Sequence, residues 1–584
     1  MTNGQRPSVI RIGNASGFYG DRFSAMREML EGGELDYLTG DYLAELTMLI
    51  LGRDKLKDPS LGYAKTFLRQ MEDCLGLAMD NGVRIVANAG GLNPHGLAVA
   101  LRELADKVGV DAEVAFVAGD DLVKRAPELG LGNPLTANAY LGGFGIADAL
   151  DAGADVVVTG RVTDASLTVG PAVSAFGWEP DDLDALAGAV VAGHVIECGA
   201  QATGGNYAFF TELMDSGKMG RLGFPIAEIA ADGSSVITKH EGTGGAVTVG
   251  TVTAQLLYEV GGPRYLGPDV TTRLDTVHLE QQGEDRVSIT GVRGDPPPDT
   301  VKVSLNHLAG VRNEMTMILT GLDIEAKAEL FKEQFLAALP TSPAEISWEL
   351  SRLDHADAET EEQASALLRC VARDPDAKQV GRAFSGTAVE LALASYPGFT
   401  MTGPPGNGTP YGVFEPGYVD AASVEHRVAR HDGVVQLVDP SPLRTKVPAD
   451  TPDEPGLSAT DWGPAAMVPL GSIAGARSGD KGGSANIGVW VRDPDHFDWL
   501  DETLDVTLLK RLLPEVADLT VHRYRLPNLL AVNFVIEEVL GRGVAENVRF
   551  DPQAKGMGEW LRSRPVPIPL SFTETTDPET TEQE

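Results

Sequence analysis

Ser8-Val9-Ile10-Arg11-Ile12-Gly13-Asn14-Ala15-Ser16-Gly17 is a β-branched run that closes in a polar turn flanked by glycines, the pattern of a strand whose carboxyl end faces a ligand crevice. Three more runs repeat it. Val83–Ala87 precedes Asn88-Ala89-Gly90-Gly91-Leu92-Asn93-Pro94, Ala112–Val117 precedes Gly119-Asp120-Asp121, and Asp155–Thr159 precedes Gly160-Arg161-Val162-Thr163-Asp164. Segments of helical period lie between them. Such alternation predicts a parallel sheet covered by helices, with the four turns gathered along one edge, the first candidate for an active site.

Working outward, the texture after Tyr207 shifts to shorter runs with hairpin signals, Ser234–Thr238, Ala246–Thr251, Thr276–Glu280, Arg286–Val292 and Val301–Leu305. These predict a sheet-rich second lobe over about 208–320. Residues 322–374 return to Ala, Glu and Leu at helical spacing, and the polar run Asp354–Glu362 reads as a solvated helix face. The α/β body is thus expected over 1–436. Residues 437–465, rich in proline and acids, read as a linker. An α+β unit follows over 466–572, with strands Met467–Ile473, Ala485–Val491, Leu519–Tyr524 and Ala531–Val539 and helices His496–Leu513 and Asp551–Leu561. The tail 573–584 carries Thr, Glu and Asp without a core and is expected to be disordered.

The chain has 584 residues, 47 Lys+Arg against 84 Asp+Glu and a formal net charge of −37, which excludes broad nucleic-acid binding and attraction to anionic membranes. Its 67 glycines fit many tight turns. Cys74, Cys198 and Cys370 form no C-x-x-C pair, so a reducing cytoplasm fits better than a disulfide scaffold. Met1–Gly17 does not read as a signal peptide, and prolines interrupt the longest uncharged stretch, Leu391–Phe414, so no membrane helix is expected. There is no G-x-G-x-x-G after the first strand, no Walker lysine loop, no G-x-S-x-G elbow and no H-E-x-x-H helix.

Four polar glycine loops remain. Gly193-His194-Val195-Ile196-Glu197-Cys198-Gly199-Ala200-Gln201 holds an imidazole, a carboxylate and a thiol, so Glu197 or His194 can act as general base beside Cys198 as nucleophile or acid. The plainer readings are a buried core cysteine and a helix-end salt bridge. Lys239-His240-Glu241-Gly242-Thr243-Gly244-Gly245 can form a nest for a carboxylate or phosphate, with Lys239 or His240 for charge and Gly244 for backbone approach, or it is a hairpin turn. Arg161 can clamp a ligand carboxylate or pair internally with Asp164. Ser472–Asn486 places Arg477 and Lys481 on a glycine loop in an acidic chain, as an anion site or as a long hairpin connection with solvated charges. The ten histidines are scattered, which argues against a structural metal. Magnesium on Asp41, Asp120 or Asp164 is left open.

Several of these strings together resemble a known family. Arg11–Asp21, Gly40-Asp41-Tyr42-Leu43-Ala44-Glu45, Asn88–Pro94, Thr159-Gly160-Arg161 and Cys198-Gly199-Ala200-Gln201 resemble the acyclic terpene utilisation family, the AtuA-like proteins. Arg477–Asn486 resembles the signature of the ferredoxin-like domain that follows in many members. The resemblance implies a cytoplasmic catabolic protein working with enzymes that process acyl-CoA esters of branched isoprenoid acids. It carries over no catalytic residue.

The reading that unites residues and resemblance is a cofactor-independent lyase or hydratase acting on a branched acyl-CoA or related carboxylate. Its catalytic candidates are Glu197, His194, Cys198 and Asp164; its binding candidates are Asn14, Asp41, Asn88, Gly90, Gly91, Arg161, Lys239, His240, Gly244, Arg477 and Lys481, with oxyanion donors expected from the Asn88–Gly91 turn. The alternative is a non-catalytic acyl-CoA-binding or scaffolding partner of a neighbouring carboxylase or hydratase. A homo-oligomer is expected in either case.

Overall fold

The computed structural model describes residues 6–453 and 460–573. The first strand, β1 (Val9–Asn14), is followed by β2 (Tyr37–Gly40), β3 (Arg84–Ala87), β4 (Val114–Ala118) and β5 (Val156–Thr159). They form a parallel core in the order β1-β2-β3-β5-β4. The strand β2 escaped the sequence reading because Tyr37-Leu38-Thr39-Gly40 has a single β-branched residue, unlike the equally short β3 and β5.

Helices cover both faces of this core. Val156 and Val158 enter one hydrophobic cluster with Leu97, Ala98 and Leu101 of α1 (Pro94–Val108). Val157 enters the other with residues of α2 (Ser166–Phe176) and α3 (Leu183–Ile196). Alternate residues of one strand thus feed two cores, which is why the strands read as continuous apolar runs. Asn93 caps α1 by accepting from the Gly96 amide at 2.9 Å, with Pro94 as the first helical residue.

The strand-rich stretch after Tyr207 supplies β6 (Pro225–Ala230), β7 (Ser235–Lys239), β8 (His278–Gly283) and β9 (Arg286–Thr290). These add antiparallel to β1, while β10 (His426–Ala429) and β11 (Val435–Val438) add beyond β4. Among the described residues the sheet has eleven strands, ordered β8-β9-β7-β6-β1-β2-β3-β5-β4-β10-β11. The run read as a strand at Ala246–Thr251 is instead the start of α4 (Val249–Leu256), because the Thr248 hydroxyl accepts from the Thr251 amide at 3.2 Å and opens a helix.

The C-terminal α+β unit is built on β12 (Ala474–Lys481), β13 (Ser484–Val491), β14 (Val521–Leu526) and β15 (Ala531–Ile536), in the antiparallel order β12-β13-β15-β14. Helices Phe497–Thr503, Val506–Leu512 and Met557–Arg562 pack on it. The expected loop Ser472–Asn486 is a tight hairpin: Arg477 pairs with Gly488 and Lys481 with Ser484, so Arg477 lies on a strand. Of the described residues, those within 6–306, 414–544 and 551–573 form one compact unit. Residues 454–459 of the expected linker and 574–584 of the expected tail lie outside the described residues.

Residues 307–413 and 545–550 form a second compact unit. Helix Ile324–Ala338 agrees with the helical pattern, but Glu345–Ser351 and Ser365–Asp374 are paired strands. Ile346, Trp348 and Leu350 alternate along the first, and Trp348 packs 6.0 Å from Phe331 and 5.9 Å from Phe335. That two-residue period overrides the Ala and Glu content. Asp354–Glu362 accordingly lies in the connection between two strands, not on a helix face.

Candidate active site

Asn14, Asp41, Asn88, Asp120 and Arg161 sit at or just beyond the carboxyl ends of β1 to β5, all buried. Asn14 Nδ2 donates to the Ile196 and Glu197 carbonyls at 2.7 and 2.9 Å, tying β1 to the end of α3. Asn88 Nδ2 donates to Asp41 Oδ1 at 2.6 Å and its Oδ1 accepts from the Tyr42 amide at 2.7 Å. Asn88 therefore positions Asp41. The Gly91 and Leu92 amides donate to the Asn88 and Gly62 carbonyls, so neither is an oxyanion donor, and Gly90 is packed against the Thr159 carbonyl.

Arg161 organises the next layer. Its Nη1 donates to the Leu43 carbonyl at 2.7 Å and lies 2.8 Å from Asp164 Oδ1, while its guanidinium sits 4.3 Å above the Tyr140 ring. Its amide donates to Asp120 Oδ2 at 2.8 Å. Burial pushes the Asp120 carboxyl up to about 6, against the pull of the Arg161 amide and Asn138 side-chain hydrogen bonds. Arg161 is thus an internal partner of Asp164, not a free clamp. A separate cavity of about 480 Å³ reaches Tyr140 and is lined also by Trp178, Asp269, His426 and Arg444.

Helix α3 is predominantly apolar, and Leu186 to Ile196, His194 among them, are buried throughout. Gly193 allows the close approach of α2: a Cβ there would lie 2.9 Å from the Ala165 Cα. This contact brings His194 and Glu197 beside Asp164. His194 Nδ1 lies 3.3 Å from Glu197 Oε1, and its ring sits 5.1 Å from Tyr265. Glu197 Oε2 is buried with no hydrogen-bond partner among the described residues. Gly17 packs on the next residue, where a Cβ would come within 2.7 Å of the Cys198 carbonyl carbon.

Burial raises the Glu197 carboxyl well above its usual range, and the charges of Asp164 and Glu259 push the same way, against Arg161 and Lys481. Asp41 is also raised, by burial and then by Asp164. Burial brings the His194 imidazole down to about 4. Burial, then Glu197, Glu259, Asp41 and Asp164, push the Cys198 thiol far up. Burial thus favours the protonated form of Glu197 and leaves, around neutrality, an uncharged imidazole at His194 and a thiol, not a thiolate, at Cys198. Cys198 fits a packing role better than a nucleophile's.

The second and fourth sequence candidates fall in different places. Lys239 Nζ pairs with Asp285 at 3.0 Å and donates to the Thr243 carbonyl at 2.7 Å; His240 Nε2 lies 2.9 Å from the Met29 carbonyl. The amides of Thr243, Gly244 and Gly245 donate to backbone carbonyls of His240, Arg221 and Lys218. This turn is internally saturated and is not an anion nest. Arg477, by contrast, reaches the pocket: it donates to Gln201 Oε1, and its guanidinium lies 4.3 Å from the Tyr258 ring centroid. It is buried and engaged, whereas Lys481 is exposed and donates to the Glu259 carbonyl at 3.0 Å.

Tyr140, Tyr258, Glu259 and Tyr265 were not singled out in the sequence. The available signal was Tyr258-Glu259, a phenol and a carboxylate just before the turn Gly261-Gly262-Pro263. Among the described residues no group of three or more His, Cys, Asp or Glu is arranged to hold a metal ion, and no helix is long and apolar enough to cross a membrane.

The architecture agrees with the comparison of the chain with protein families. Residues 468–567 match the AtuA ferredoxin-like domain. A comparison with curated proteins returns no match. Residues 10–430 match the model described as acyclic terpene utilisation family protein AtuA, and the chain belongs to that family.

Proposed function

We propose that the Glu197 pocket carries out acid–base chemistry on a branched acyl-CoA or related carboxylate of acyclic terpene breakdown, as a lyase or hydratase. The observation that carries this reading is Glu197 itself: a buried carboxyl with its Oε2 unpartnered, raised by burial and by neighbouring carboxylates, beside a neutral imidazole. A carboxyl held toward its protonated form is suited to give a proton to a carbon or a leaving oxygen.

In the hydration direction, a base takes one proton from water, the hydroxyl adds to the β-carbon, and the Glu197 proton passes to the α-carbon. Elimination runs the same steps backwards. The Asp164 to Arg161 pair keeps a negative charge next to Glu197 and so helps to hold its proton. Neither direction needs a redox partner.

Incubation with a panel of branched enoyl- and hydroxyacyl-CoAs, read by mass, tests the reading. Gain or loss of one water, or cleavage into two products, is expected. Glu197→Gln should fold and lose at least ~10²-fold in turnover. Saturable binding with no mass change across the panel would instead mark a binding partner.

A further inference from the structure

Glu259 adopts φ +58°, a left-handed backbone conformation that disfavours side chains other than Gly, Asn and Asp. The C-terminal sheet imposes it. Asn486 Oδ1 on β13 accepts from the Glu259 amide at 2.9 Å, and Asn486 Nδ2 donates to the Leu257 carbonyl at 2.7 Å. Asn533 Nδ2 on β15 donates to the Val260 carbonyl at 3.2 Å, and Lys481 Nζ donates to the Glu259 carbonyl at 3.0 Å. Three side chains of one sheet thus grip the backbone of residues 257–260. Asn486 and Asn533 are fully buried and also bond to each other at 2.9 Å. A glycine would take this conformation without strain, so retaining a glutamate points to use of its carboxylate.

That carboxylate belongs electrically to the pocket. Its charge is felt by His194, Glu197 and Cys198 at the end of α3, by Tyr265 on the strand Arg264–Leu266, and by Arg477 on β12. The Glu259 side chain packs on Gly479 of β12, where a Cβ would come within 3.0 Å of the Glu259 Cγ, beside the Tyr258 ring that Arg477 covers at 4.3 Å. Of the described non-glycine residues with positive φ, Glu259 is the one whose charge acts on Glu197 and His194.

We propose that Glu259 is the proton acceptor that works opposite Glu197, aimed at the pocket by the C-terminal sheet. This rests on the acid–base reading above. In hydration, Glu259 takes the proton from water while Glu197 delivers its own to the α-carbon; exchange with solvent then restores both groups.

The test compares Glu259→Gln, Glu259→Asn, Asp164→Asn and Glu197→Gln with wild type in two measurements. In turnover on the thioester panel, Glu259→Gln should lose at least ~10²-fold and remove the acidic limb of the pH–rate profile. Glu259→Asn, whose side chain tolerates the left-handed backbone, serves the same purpose if the Gln variant does not fold. Wild-type turnover and an unchanged profile in the Glu259 variants, or loss of the limb in Asp164→Asn alone, overturns the proposal. The second measurement needs no substrate: the infrared band of a protonated carboxyl is followed against pH, and the band missing in Glu197→Gln is assigned to Glu197. Glu259→Gln should move its titration down by about one pH unit or more. If no thioester turns over even in wild type, the lyase or hydratase reading fails, and this titration still decides whether the two carboxyls are coupled; an unmoved band overturns that coupling.

Discussion

Asn14 Nδ2 donates to the carbonyl of Glu197 at 2.9 Å, joining the end of the first strand to the end of a helix 183 residues later. The amide also reaches the Ile196 carbonyl, so one buried side chain satisfies two helix-terminal acceptors that would otherwise be stranded. Asn14→Ala should destabilise the protein by about 1–3 kcal/mol. Urea unfolding should show a lower midpoint with an unchanged slope, and turnover should fall as Glu197 loses its fixed position.

Arg161 is the cation beside Asp164 and close to Asp41. Removing it alone leaves buried negative charge uncompensated, so Arg161→Met should cost about 3–5 kcal/mol. The double variant Arg161→Met with Asp164→Asn should recover part of that loss. Simple additivity of the two single changes in a denaturant series would show that the pair is not coupled.

Buried groups of the pocket pull the pH dependence of stability in opposite directions, as His194 and Asp120 illustrate. The folded-state pKa of His194 is depressed to about 4 from 6.5, so its contribution is fully present above pH 6.5 and is lost as pH falls toward 4. Asp120 is raised to about 6 from 3.8, so its contribution is present below 3.8 and is lost as pH rises through 6. His194→Asn should reduce the rise over pH 4 to 6.5, while His426, also brought down to about 4 by burial, keeps its own share of it. Unfolding curves at half-unit pH intervals would read the change in slope.

The thiol of Cys198 is raised by burial and by the acidic groups around it. Its reaction with a disulfide reagent at neutral pH should be much slower than that of a free cysteine, since the thiolate is the reactive form. Cys198→Ala should keep turnover within about tenfold, whereas a covalent mechanism would lose essentially all of it.

Four of the five parallel strands were legible because each ends in an unusual polar turn, and those turns supplied Asn14, Asn88 and Arg161, whereas Asp41, after the unread strand β2, came only through the family resemblance. The His194 to Cys198 string was legible because it concentrates ionisable groups. Distance in sequence hid the rest. Nothing near Arg477 announces that it meets Gln201 rather than solvent, and nothing near Lys239 announces that Asp285 neutralises it. Glu259 was the least visible, since its conformation depends on side chains more than 220 residues away. The strands at Glu345–Asp374 were masked by alanine and glutamate, although the spacing of Ile346, Trp348 and Leu350 carried the correct period.

The grip of Asn486, Asn533 and Lys481 on residues 257–260 bears on how the gene can be divided. One wall of the Glu197 pocket is secured by side chains of the C-terminal sheet, so the stretches matched separately at 10–430 and 468–567 build that pocket together. A nick between them should leave two polypeptides that stay associated and active, and either piece purified alone should be inert until the other is added back. A close relative encoded as two shorter genes would, on the same grounds, be read as one protein made of two subunits.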